Sequence, residues 1–173
     1  KKGIPPYQVN FFDRMINKMD IHFEEPESKI IVQNTDISEN EYMFFIKEEN
    51  VKLKLMTKLS SLAQQERKKA SAGDYFGEVA FLYQCKRSTT VYSINYTTLA
   101  KLHRTDLEEL FTLFPFFKDE IIKRTIRYDD NQKLFLECAL KTIDYLSDVP
   151  DETITKIIYS LTFRKFEKGT KLF

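Results

Sequence analysis

Residues 73–91 read Gly-Asp-Tyr-Phe-Gly-Glu-Val-Ala-Phe-Leu-Tyr-Gln-Cys-Lys-Arg-Ser-Thr-Thr-Val and hold two of the chain's four glycines. Gly77 is followed by an acid, a short apolar run, a basic pair and a segment rich in Ser and Thr. That order suits an anionic ester flanked by hydroxyls. A glycine at position 77 lets the backbone approach a ligand closely and tolerates positive φ. The amides of Val79 and Ala80, opening a helical turn, would direct N–H groups at an anion. Arg87 offers a two-pronged fork for phosphate, and Glu78 can accept hydrogen bonds from sugar hydroxyls.

No other constellation competes with this one. His22 and His103 stand apart from any matching Cys or acid cluster, so no metal site is expected. Ser, His and Asp occur without a nucleophile-elbow pattern, and no catalytic chemistry is expected. Asp129-Asp130 reads as a solvated helix end. Residues 66–71, Glu-Arg-Lys-Lys-Ala-Ser, have the basic-then-serine order of a kinase target, but read first as a solvated loop between two strands. A phosphate on Ser71 would add charge just ahead of Gly73 and repel an anionic ligand.

Composition narrows the class. The 173 residues are long enough for one domain with a core plus a piece of another. A hydrophobic share of 42% and an aromatic share of 14% exclude a disordered chain. A net charge of +1 argues against a protein built to hold nucleic acid. No apolar run approaches the roughly 20 residues of a spanning helix, no signal peptide is visible, and no membrane insertion is expected. Cys85 and Cys138 are expected as reduced thiols of a cytoplasmic protein. The chain opens on Lys1, so the expectation is a piece of a longer protein.

The elements that must position the 73–91 stretch follow from periodicity. Over 7–19, Val9, Phe12, Ile16 and Met19 are spaced to line one helix face, behind Pro5 and Pro6. From 20 to 104, short β-rich runs alternate with polar turns: 30–32, 42–46, 51–55, 89–93 and 99–102. Many short strands between turns predict a barrel or sandwich. Thr105 and Glu108 form a capping-box signature ahead of Leu107, Leu110 and Phe111. Pro115 ends that helix, and Phe117, Ile121, Ile122, Thr125 and Ile126 mark another. From Leu134 onward Leu140, Ile143, Leu146, Val149, Ile154, Ile157, Ile158 and Leu161 predict more helix. Phe163, Phe166, Gly169 and Leu172 then read as a first strand and turn, and residues 166–172 loosely repeat 23–30.

The stretch Gly77-Glu78-Val79-Ala80-Phe81, a spacer over 82–86, then Arg87-Ser88-Thr89-Thr90-Val91 resembles the phosphate-binding cassette of cyclic-nucleotide-binding domains. The resemblance implies an α+β fold, an eight-stranded β jelly-roll barrel flanked by an N-terminal helix and C-terminal hinge and lid helices. It implies one such domain over 7–130. Over 131–173 it implies linker helices and the start of a second, truncated copy. The join around Val149-Pro150-Asp151-Glu152 and Phe166-Glu167-Lys168-Gly169 is similar to that between the tandem sites of cyclic-nucleotide-dependent kinases.

The ligand so implied is cGMP or cAMP, held by Gly77, Glu78, Val79, Ala80, Arg87, Ser88 and Thr89, with Val79, Phe81 and Val91 as apolar walls. A hydroxyl at Ser88 goes in this family with cGMP acceptance. The implied role is regulatory and not enzymatic: a helix movement passed to a kinase catalytic domain or other effector, in cis or in trans. A ligand-unresponsive scaffold and the cytosolic gating domain of a cation channel are the alternatives. The chain departs from the family at its early turns, which read Pro26-Glu27-Ser28, Asn34-Thr35-Asp36 and Glu48-Glu49-Asn50 where glycine is usual. Those hairpins are expected to pack the barrel and not to hold the phosphate.

Overall fold

Strand alternation along 42–48 sorts Met43 and Phe44 to opposite faces of one sheet, and each face finds a different partner layer. A computed structural model describes residues 6–48, 51–54, 67–127, 131–161, 166–167 and 169–171. Eight strands are assigned among them: β1 (Asp20–Glu24), β2 (Lys29–Ile31), β3 (Tyr42–Glu48), β4 (Val51–Lys54), β5 (Arg67–Ala70), β6 (Tyr75–Phe76), β7 (Thr90–Ser93) and β8 (Thr97–His103). They pair antiparallel into two four-stranded sheets, ordered β1-β8-β3-β6 and β2-β7-β4-β5. Six helices accompany them: α1 (Pro6–Asn17), α2 (Glu78–Tyr83), α3 (Arg104–Leu113), α4 (Pro115–Ile126), α5 (Asn131–Lys141) and α6 (Asp151–Ser160).

One core cluster draws on both sheets, with Ile30, Ile31, Phe44, Ile46, Phe76, Val91 and Leu99 buried together. Phe44 and Phe76 stack at 5.2 Å across the β3–β6 pair. The second cluster gathers Met43 and Leu102 from the first sheet with Phe11, Leu107, Leu110 and Ile121 from α1, α3 and α4. In the β3–β8 register Met43 faces Leu102 and Ile46 faces Leu99, so each pair feeds one of the two cores.

Several expectations need correction. The inward residue of α1 is Phe11, not Phe12: Phe11 is 4% exposed, while Phe12 and Ile16 face solvent at 42% and 61%. Tertiary packing decides this, because Phe114, Phe116 and Phe117 surround the Phe11 ring with centroids 4.7–5.3 Å away. The Thr105–Glu108 capping box does not form. Strand β8 runs straight into α3, and the Arg104 amide donates to the Glu41 carbonyl at 2.8 Å. His103 becomes the N-cap instead, its Nδ1 accepting from the Thr105 amide at 3.3 Å. Glu108 pairs with Arg104 at 2.8 Å. Residues 67–70, expected as a loop, are strand β5 paired with β4, and Ser71 follows at a turn.

Pro115 sits at the first position of α4 as its fixed φ favours. At the far end of α4, Lys133 is 3% exposed and its ammonium donates to the Ile126 carbonyl at 2.6 Å, closing the α4–α5 corner. The Asp129-Asp130 pair, Phe163 and Leu172 lie outside the described residues. Gly169 turns at φ +93, with the Thr170 amide donating to Glu167, and no strand is assigned between 166 and 171 among the described residues. No described helix is long and apolar enough to cross a membrane.

Candidate functional site

Gly77 breaks the chain between β6 and α2 with φ +90, a left-handed turn that only glycine adopts without strain. The turn places Glu78, Val79 and Ala80 on the opening of α2, all three buried. Ten residues on, the chain returns with Arg87, Ser88 and Thr89 ahead of β7. All seven residues expected at the site line one cavity of about 640 Å³. That volume suits a small-molecule ligand. Val79 and Val91 supply apolar wall as expected; Phe81 does not line the cavity. Its ring lies under the Arg87 guanidinium, 5.2 Å from the centroid.

Arg87 is 2% exposed, and its fork is turned to the backbone. Nη1 donates to the Gly77 carbonyl at 2.7 Å, and Nη2 to the carbonyls of Tyr42, at 2.9 Å, and of Asn40. The main chain of Arg87 is clasped as well. Its amide donates to the Thr35 carbonyl at 3.0 Å, and its carbonyl accepts from the Asn34 amide at 2.8 Å. Asn34 reaches this position at φ +67, and Asp36 and Glu39 cap the 3-10 turn that presents Asn40. The early turn at 34–36, expected to pack the barrel and not to hold the phosphate, thus clasps the main chain of Arg87. The guanidinium Nε is buried and makes no hydrogen bond to any described residue.

Burial pushes the Arg87 guanidinium below its ordinary pKa, and the buried Glu78 carboxylate opposes that shift. Burial likewise pushes the Cys85 thiol up to about 11, which keeps it protonated at neutral pH. Cys138 is exposed, and both cysteines are free.

Helix α4, expected among the hinge and lid helices, and α6, expected as a linker helix, complete the cavity. Glu120, Lys123, Arg124 and Arg127 of α4 and its C-terminal cap line it, as does Tyr159 of α6. Arg124 pairs with Asp74 at 2.9 Å and lies over the Tyr75 ring at 4.4 Å, tying α4 to the segment that leads into Gly77. Tyr159 stacks on Tyr83 of α2 at 4.9 Å and 26°. Periodicity placed these residues on helices but carried no signal of which helix covers which sheet. Lys69 of β5 also lines the cavity. It was missed because its segment reads as loop.

The Tyr83 hydroxyl is buried and makes no hydrogen bond to any described residue. Burial, then the Glu152 carboxylate, pushes its phenol up to about 12. The raised value belongs to the folded state. The stability it represents is whole below the ordinary phenol value near 10 and is lost as pH rises toward about 12. Replacing Tyr83 with Phe is expected to stabilise the protein by about 1 kcal/mol, because it removes an unsatisfied buried group and keeps the ring stack. Chemical denaturation at pH 7 and pH 10.5 checks this: the variant's stability should fall less between the two.

No protein-family profile matches the chain, and no curated protein matches it in sequence. Solved structures do. The cAMP-bound regulatory domain of Toxoplasma gondii PKA aligns at TM-score 0.53 and 19% identity, over 86% of this chain and 49% of that one. The regulatory subunit of a cAMP-independent protein kinase A from Trypanosoma brucei aligns at TM-score 0.57 and 20% identity, over 73% of this chain and 42% of that one. A structure from a bacterial cyclic-GMP-dependent signalling pathway that regulates phytopathogenesis aligns at 0.53 and 18%, over 71% and 91%. The chain spans less than half the length of the two kinase regulatory structures. The chain shares its fold with these structures.

Proposed function

We propose that this chain is a cyclic-nucleotide-sensing regulatory module. The observation that carries the reading is Arg87: a buried guanidinium held rigidly at the cavity by three backbone carbonyls, with Nε left as an unspent donor. A cyclic phosphate carries one negative charge. Arg87 and the opening amides of α2 at Val79 and Ala80 would neutralise it, with Gly77 allowing close approach. Glu78 would take the ribose 2′-hydroxyl, and Ser88 and Thr89 would bond the phosphate or the base. Val79 and Val91 would pack on the sugar and base. The two sheets would then be the halves of the jelly roll, and 131–173 would lead into a second copy.

Signal relay would run through α4. Arg124 ties it to Asp74, so ligand contacts that favour another α4 position would shift the population. The effector, a kinase catalytic domain or another partner in cis or trans in the cytoplasm, is part of this proposal. It is drawn by analogy with the kinase regulatory structures that share the fold. A second reading, a scaffold of the same fold that answers to no cyclic nucleotide, is favoured by one observation: a similar structure is described as cAMP-independent. Calorimetric titration of the chain with cAMP and cGMP separates the two. Saturable binding at micromolar concentration or tighter supports the sensor. A folded chain giving no heat and no thermal shift with either nucleotide leaves the scaffold.

A further inference from the structure

Strand β5 runs out into a serine that the site does not use. Arg67, Lys68, Lys69 and Ala70 precede Ser71, an order of basic residues, a small residue and a hydroxyl that basophilic protein kinases select. The strand stands at the edge of its sheet, with β4 on one side and no described strand on the other. Residues 67–70 are thus already extended, with one backbone edge turned away from the sheet. Ala70 is buried in the core between the sheets, whereas Lys69 and Ser71 on either side of it are exposed. The Ser71 hydroxyl makes no hydrogen bond to any described residue.

What lies behind Ser71 gives a modification there a consequence. The Asp74 amide donates to the Ser71 carbonyl at 2.9 Å, and the Ser71 amide donates to Asp74 Oδ2 at 3.0 Å. The other carboxylate oxygen, Oδ1, accepts from Arg124 Nη2 at 2.9 Å. One carboxylate therefore joins the backbone of the serine to α4. Arg124 is part-exposed and long enough to turn toward a second anion on the same turn.

We propose that Ser71 is a phosphorylation site whose phosphate takes hold of Arg124, locks α4 at the cavity and lowers affinity for the ligand. In the transfer, the Ser71 oxygen bonds to the γ-phosphorus of ATP held by a separate kinase. The bond from that phosphorus to the β,γ-bridging oxygen breaks, ADP leaves, and the hydroxyl proton passes to the kinase's catalytic base. The product carries a charge of about −1.5 to −2 and three strong acceptor oxygens. A guanidinium meets such a group with two parallel hydrogen bonds, a stronger hold than the bond to Asp74 Oδ1. The same charge stands beside Asp74, which lines the cavity, and opposes an incoming anion. The effect on ligand rests on the cyclic-nucleotide reading above; the contact with Arg124 does not.

The test treats the chain and its Ser71→Ala and Arg124→Gln variants with ATP and a basophilic serine kinase, and maps the phosphate by mass spectrometry. Phosphate is expected at Ser71, and that site is lost in the Ser71→Ala variant. In the unliganded wild type it should raise the melting temperature by about 2–4 °C, a rise absent from Arg124→Gln. Affinity for cAMP and cGMP should weaken by about ten-fold. Ser71 does not line the cavity, so kinase-treated Ser71→Ala should bind as the untreated chain does. No phosphate at Ser71 of the folded chain, a melting rise that survives in Arg124→Gln, or unchanged melting after full phosphorylation each overturns the proposal. So does unchanged affinity in a chain that binds nucleotide before treatment. A chain that binds neither nucleotide before treatment overturns the cyclic-nucleotide reading, and with it the effect on ligand, while the melting comparison still decides the contact with Arg124.

Discussion

Arg87→Ala is expected to weaken nucleotide binding by one to two decades or more and, separately, to destabilise the protein with no ligand present. The binding loss follows from removing the cation that would face the phosphate; one charged hydrogen bond is worth roughly 1.5–3 kcal/mol, or one to two decades in affinity. The stability loss follows from the carbonyls of Gly77, Asn40 and Tyr42, which come from two separate segments and share this one guanidinium. Without it they lose a charged donor in a buried setting, at a combined cost of about 2–4 kcal/mol. In a chain of this size that lowers the melting temperature by roughly 5–15 °C. Arg87→Lys keeps the charge but not the fork and should fall between the two. Thermal denaturation of the empty variants decides the point: an Arg87→Ala protein that melts like wild type has no arginine brace.

Gly77→Ala should be nearly as damaging, for a different reason. A side chain at φ +90 costs about 1–2 kcal/mol in the backbone alone. The added Cβ would also sit 3.1 Å from Arg87 Nη1 and 3.1 Å from Ile31 Cδ1, so the arginine brace and the core between the sheets must both give way. Gly73 supplies the control. It has the same φ of +90, but nothing lies within 4 Å of the Cβ it would gain. Gly73→Ala therefore carries the backbone cost alone. The expectation is a larger loss of stability at 77 than at 73, with nucleotide affinity falling only at 77. Equal destabilisation and normal affinity in both would show that crowding against Arg87 is not what the second glycine avoids.

The 77–91 segment was legible because its information is local: a glycine that must turn, a helix opening directly behind it, and an arginine returning ten residues later. Its seven expected residues do line one cavity. The break at Pro115 was legible because a ring that fixes φ and removes a donor acts within its own turn. The central strands over 42–48 and 90–93 were legible from their β-rich runs. Where two readings shared one local pattern, the chain could not choose. Phe11 and Phe12 are adjacent on one helix, and only the phenylalanines near 114–117 select the first. Thr105-x-x-Glu108 and the histidine ahead of it both offer a cap, and the run of β8 into α3 settles on His103.

What the sequence determined by itself is therefore the chemistry of a turn and the type of most elements, since both depend on residues within a few positions of one another. What only the tertiary structure decided is which distant groups meet. It gave Arg87 the carbonyls of Asn40 and Tyr42 from some 45 residues away, and Tyr83 the ring of Tyr159. It also brought Lys69 and Arg127 to the same cavity. The physical reason is range. Propensity and turn chemistry act along the chain over one or two turns. Burial acts across the chain, and it is packing of β5, α4 and α6 around α2 that brings these groups to one cavity.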